Sequence, residues 1–128
     1  PWAAGRERIG WGKGGKAAWW KDTEIAQTHT GEALQFIERN KERPFFLYFA
    51  PHDVHAPIIP QKRFAGESGI SERADMLLGL DDAIGQITQT LDRLGLAENT
   101  LIIYSSDNGA YVSDESGHRP TGGLRGVK

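Results

Sequence analysis

Apolar positions recur at helical spacing in two stretches of the chain and in strand-length blocks in two others. After Asp22, a residue suited to an N-cap, Ile25, His29, Ala33, Phe36 and Ile37 share one face of a 3.6-residue period, which predicts a helix over 23–39 ended by Asn40. Further along, Leu77, Leu80, Ile84, Ile87, Leu91 and Leu94 alternate three and four apart. That spacing predicts a long helix over 71–94, capped by Ser71 or Ser68 and closed at Gly95. The blocks "FFLYFA" (45–50) and "TLIIYS" (100–105) are short, aromatic or β-branched, and apolar on both faces. The first predicts a strand buried between helical layers, and the second predicts a further strand. Pro57 and Pro60 force an extended loop between the first strand and the long helix.

The order helix, strand, helix, strand predicts an α/β fold with parallel strands, the 71–94 helix serving as the crossover. Such units are right-handed, so both strands direct their carboxyl ends to one side of the sheet. The loop "PHDVHAP" (51–57) and the cluster "SDNG" (106–109) would then share the edge at which open α/β sheets bind ligands. Asp107, Asn108 and Gly109 can form an ordinary turn after a strand. A carboxylate followed by an amide can also hold a hard cation.

Composition narrows the function classes. The 128 residues are 38% hydrophobic and 25% charged, as in a soluble globular domain, with apolar runs of strand length only, so no membrane span is expected. A net charge of −2 argues against a dedicated nucleic-acid binder. The absence of cysteine removes disulfides, thiolate metal sites and a cysteine nucleophile. The first 21 residues differ from the rest: they hold all four tryptophans, five glycines and a basic excess, which reads as a loop or leader before a domain over 22–128. The chain starts on Pro1 and stops on Lys128 after a Gly-rich turn, as an excised piece would.

Three linked segments, "PFFLYFAPHDVHAP", "LDDAIGQITQTLDRLGLAENTLIIYSSDNG" and "GHRPTGGLRGVK", together resemble the central and later part of a sulfatase of the arylsulfatase type, in the alkaline-phosphatase-like superfamily. The resemblance covers 22–128 and implies a parallel-sheet fragment of that fold. It puts His55 beside the sulfate ester, as hydrogen-bond donor or leaving-group acid. Asp107 and Asn108 fall on metal ligands, and Lys128 on a lysine that contacts the sulfate. His118 and Arg119 could touch the anionic substrate. Phosphatases of the same superfamily commonly place histidine after the aspartate, to suit zinc. Carboxylate plus amide suits Ca²⁺, or Mg²⁺, and so favours the sulfatase branch.

The family's formylglycine nucleophile arises from a Cys or Ser in a motif that no segment here fits, and its amino-terminal aspartate pair is also missing. Asp81 and Asp82 imitate that pair but sit inside the predicted helix. The resemblance therefore implies half of a site, in a chain inactive by itself, whose parent hydrolyses a sulfated small molecule or glycan in a periplasmic, secreted or lysosome-like setting. Two other classes fit the residues. One is an anion- or sulfated-carbohydrate-binding module without catalysis, suggested by the tryptophans and cations of the first 21 residues. The other is a structural fragment prone to self-association through uncovered apolar surface.

Overall fold

The computed structural model describes residues 8–9, 12–13, 21–109, 121–123 and 125. Most of the basic, tryptophan-rich start lies outside the described residues. Two helices dominate, α1 over Asp22–Asn40 and α2 over Glu72–Arg93, followed by a 3₁₀ turn at Ala97–Asn99. The ends of α1 and α2 fall within one residue of those expected. Their chemistry differs in one place: the N-cap of α1 is Lys21, which makes no side-chain cap bond, and Asp22 is the first helical residue. There its carboxylate complements the positive end of the helix dipole.

At α2 the cap is Ser71, whose Oγ accepts the Ala74 N–H at 3.2 Å. The helix ends in a Schellman turn. Gly95 adopts φ +69°, its N–H bonds to the Asp92 carbonyl at 3.0 Å, and the Leu96 N–H reaches back to the Leu91 carbonyl at 2.9 Å. A side chain at Gly95 would have to enter the left-handed region, which glycine occupies without penalty.

The helices pack against each other on faces that match in part those the spacing suggested. α1 buries the expected Ala33 and Ile37 together with Ala26, Thr30 and Asn40, but not His29 or Phe36. α2 buries the expected Leu91 with Ala74, Met76, Ala83 and Thr90, Gly79 is covered by the loop before the helix, and Leu77 and Leu78 turn outward. Small residues let two helix axes approach closely, and the close contact prevails over the stripe of largest side chains. Thr30 fits this dry seam because its hydroxyl donates to the Ala26 carbonyl at 2.8 Å. At the far end Arg93 pairs with Glu38 at 2.5 Å across the two helices, and this hydrogen bond holds the Glu38 carboxyl below its ordinary value.

The expected parallel α/β sheet is not formed. Neither 45–50 nor 100–105 is a strand, and among the described residues the sheet is a two-residue antiparallel ladder, β1 (Arg8–Ile9) with β2 (Gly12–Lys13). A strand exists only through hydrogen bonds to a neighbour, whereas its side-chain alternation can exist alone. Residues 45–50 keep that alternation. Phe45, Leu47 and Phe49 are half-buried, with Phe45 edge-on to Phe36 of α1 at 5.7 Å, while Phe46 and Tyr48 are 85% and 82% exposed. Leu101, Ile102, Ile103 and Tyr104 are exposed on both sides. The parallel-sheet fragment with its helix-strand-helix-strand order is thus corrected to a helix pair carrying two apolar runs without ladder partners among the described residues. The crossover argument for a shared sheet edge goes with it.

The loop entering α2 is fastened by a carboxylate. Asp75, 3% exposed, accepts the Gly66 N–H at 2.7 Å and the Ser68 N–H at 2.9 Å. Hydrogen bonding from Ser68, then from the Gly66 and Ser68 backbone, lowers its pKa from an ordinary 3.8 against the opposing effect of burial. A depressed folded pKa stabilises the fold above the unfolded value, and that contribution disappears as pH falls through the folded one. Asp75→Asn should therefore lower the melting temperature at pH 7, with the gap to wild type narrowing below pH about 4. Thermal unfolding followed by circular dichroism at pH 7 and pH 3 measures both, and a gap that widens on acidification contradicts the assignment.

Candidate functional site

The histidine loop leaves the 45–50 run and lies over the amino-terminal half of α2. Gly79 makes the approach possible. A Cβ there would stand 2.9 Å from Gln61 Nε2 and 3.5 Å from both Asp53 Oδ2 and Phe64. Gln61 is buried, so it has little room to yield. Arg63 pairs with Asp82 of α2, which also accepts from Gln86 Nε2 at 2.6 Å. Asp82 thus has a structural role, as its position in a helix led one to expect. Higher on the same helix, Arg73 Nη1 donates to the Val54 carbonyl at 2.9 Å. Among the described residues this hydrogen bond is what joins residues 52–56 to a helix.

Within the loop a turn is closed by the His55 N–H donating to the His52 carbonyl at 2.9 Å. The exposed His55 ring places Nδ1 2.7 Å from the Ala56 carbonyl. A carbonyl can only accept, so Nδ1 carries the proton and Nε2 of the neutral ring is the lone-pair atom. The residue is exposed, and Nε2 is the ring nitrogen left out of this contact. His52 lies beside it, ring centres 6.1 Å apart, with its own Nε2 buried and unbonded. Burial pushes the Asp53 carboxyl above its ordinary value, and neighbouring His52 and His29 draw it part of the way back.

Asp107 and Asn108 occupy an exposed turn. Ser106 Oγ donates to the Asn108 carbonyl at 2.8 Å, and Asn108 Nδ2 donates to the Gly109 carbonyl at 2.9 Å, which leaves the Asn108 amide oxygen out of both bonds. One carboxylate and one amide oxygen form a donor pair suited to a hard cation, short of the six or so it requires. Among the described residues no three His, Asp or Glu side chains gather closely enough to hold a metal, and no hydrogen bond or ion pair joins this turn to His55. His118, Arg119 and Lys128 lie outside the described residues. Elsewhere a groove of about 370 Å³ runs between α1 and the 45–50 run, lined by His29, Phe36, Arg39, Leu47 and Phe49 among others.

Sequence reasoning passed over Arg73, which looked like one more charged residue on a helix surface. A signal was there. A cation in the first turn of a helix opposes the helix dipole, so it needs a compensating partner.

The sequence model of the family described as Sulfatase matches residues 16–125. The chain is 48% identical to the N-acetylgalactosamine-6-O-sulfatase of Bacteroides thetaiotaomicron across 97% of its own length and 26% of that protein. It is 40% identical to human N-acetylgalactosamine-6-sulfatase across 70% of its length and 17% of that protein. A solved structure connected with glycosaminoglycan metabolism by Bacteroides thetaiotaomicron superposes with a TM-score of 0.76 at 48% identity, covering 85% of this chain and 22% of the other. The chain spans about a quarter of the length of the first of these relatives and less of the second. Matched by the family model over most of its length and by sulfatases of a bacterium and of man, the chain belongs to the sulfatase family.

Proposed function

We propose that this chain is part of a sulfatase that hydrolyses sulfate esters, with sulfated sugars as its substrate class. The observation that carries this reading is the 48% identity that continues through nearly the whole chain to a sulfatase named for a sulfated amino sugar. The His55 geometry is compatible with the chemistry. Cleaving a sulfate ester leaves negative charge on the departing alcohol oxygen, and an imidazolium whose Nε2–H is left out of the Ala56 contact can deliver the proton that oxygen needs. Asp107 and Asn108 would contribute two oxygen ligands to Ca²⁺ or Mg²⁺, and Lys128 an ammonium group to the sulfate, with His118 and Arg119 on the substrate side. A formylglycine outside these residues would supply the nucleophilic oxygen, and the cation would supply positive charge for the sulfate oxygens.

The setting we propose, supported by the family resemblance, is periplasmic, secreted or lysosome-like. No helix among the described residues is long and apolar enough to cross a membrane. Exposure of Phe46, Tyr48, Leu101 and Ile103 supports self-association of the isolated chain.

Sulfate release measured by ion chromatography tests the proposal. The complete protein should release sulfate from N-acetylgalactosamine 6-sulfate and from 4-nitrophenyl sulfate, and the 128-residue chain from neither. Tight binding of the sulfated sugar by the complete protein without any release would favour the non-catalytic binding module.

A further inference from the structure

We infer that Arg73 is a positioning residue for His55: by holding the Val54 carbonyl against α2, it keeps the His55 imidazole in the orientation that presents Nε2 to a substrate. The inference rests on the role proposed above for His55. It starts from a mismatch. Arg73 is the second residue of α2, where exposed N–H groups and the helix dipole make a cation unfavourable, and the acidic Glu72 and Asp75 on either side follow the usual preference. A residue that departs from the local rule requires a contact that offsets the departure.

That contact is the 2.9 Å hydrogen bond from Nη1 to the Val54 carbonyl, made by a half-buried guanidinium across 19 positions of sequence. Val54 immediately precedes His55, and among the described residues the other hydrogen bonds of 52–56 are local: the His55 N–H to the His52 carbonyl and His55 Nδ1 to the Ala56 carbonyl. The second of these depends on where the peptide planes around His55 point. Fixing the Val54 carbonyl fixes one of those planes on a rigid helix. Released from it, the loop can rotate, and the imidazole can exchange its Nδ1–H form for the Nε2–H form that free imidazole side chains prefer. In that form the Nδ1 contact with the Ala56 carbonyl is lost, and with it the constraint that orients the ring toward a departing oxygen.

Long-range ¹H–¹⁵N correlation spectra of the ¹⁵N-labelled chain at pH 8, with His55 assigned by His55→Ala, read the tautomer directly. Wild type should show a predominant Nδ1–H form. Arg73→Met should convert His55 to a mixture led by Nε2–H, and Arg73→Lys, whose ammonium can still donate to a carbonyl, should restore most of the Nδ1–H form. Where Arg73→Met does not fold, Arg73→Gln, which keeps much of the aliphatic stem but is shorter, should show the same conversion. In the complete protein Arg73→Met should lower kcat roughly 10- to 100-fold, with KM within about twofold and recovery by Arg73→Lys.

An unchanged His55 tautomer in a folded Arg73→Met or Arg73→Gln chain overturns the inference, as does a loss of activity that only tracks the folded fraction. If the complete protein releases no sulfate from any ester, the proposed function fails, and the tautomer measurement still decides whether Arg73 orients His55.

Discussion

His55→Ala in the complete protein is expected to lower kcat for a sugar sulfate by about 10²- to 10⁴-fold, the range for loss of a general acid. The size of the loss should depend on the leaving group. A sugar alkoxide is strongly basic and needs a proton as the ester bond breaks, whereas 4-nitrophenolate leaves readily without one. The same substitution should therefore cost markedly less on 4-nitrophenyl sulfate. His55 is exposed, and its side-chain bond is local, to the Ala56 carbonyl, so its removal should leave stability and cation affinity nearly unchanged. Paired kcat measurements on the two esters decide the matter. An equal loss on both would mean that His55 binds the sulfate instead of protonating the departing oxygen.

The second large effect is expected at Asp107. In the complete protein Asp107→Ala should weaken Ca²⁺ binding by at least ~100-fold, because outer-shell substitutions alone already cost 10- to 100-fold at metal sites. The isolated chain should bind Ca²⁺ only near the millimolar range, since it offers one carboxylate and one amide oxygen to an ion that takes six or more. Both residues are exposed, so water can complete the shell but adds no charge. Calorimetry on the chain and on its Asp107→Ala variant provides the check. Micromolar binding that survives the substitution would locate the cation elsewhere and return Ser106–Asn108 to a plain turn.

The sequence exposed the helices clearly and their contact poorly. Both helices carry periodic apolar positions, and α2 has sharp end signals at Ser71 and Gly95, local features that survive folding. Ala33, Ile37 and Leu91 are buried as their spacing suggested, whereas Phe36 and Leu77 are not, because a hydrophobic pattern weights side-chain size. Close packing also buries the small residues Ala26 and Ala83, which such a pattern passes over. The blocks at 45–50 and 100–105 have strand composition, but composition cannot supply a hydrogen-bonded neighbour. The histidine loop was legible as a candidate through its residue types. Arg73 was not, because its partner is a backbone carbonyl, and every residue has one of those. Asp107 and Asn108 were recognisable as oxygen donors, while their relation to His55 depended on a sheet that the described residues do not form.

Helix α1 ends at Asn40 and helix α2 begins at Glu72, and the two rods touch directly, while the segment between them is fastened to α2 at Val54, Arg63, Gly66 and Ser68. Lengthening a tethered segment is thermodynamically mild: doubling it adds only about 0.6 kcal/mol of closure entropy. Insertions and deletions between the Val54 anchor and Gln61 can therefore reshape the approach to His55 while the rods stay in place. Such a chain separates two kinds of hereditary change. Substitutions at Ala33 or Ala83 put the helix pair at risk, and changes over Gln61–Ser68 put at risk the bonds to Asp82 and Asp75, whereas length changes within 56–60 reach the surroundings of His55 without breaking either.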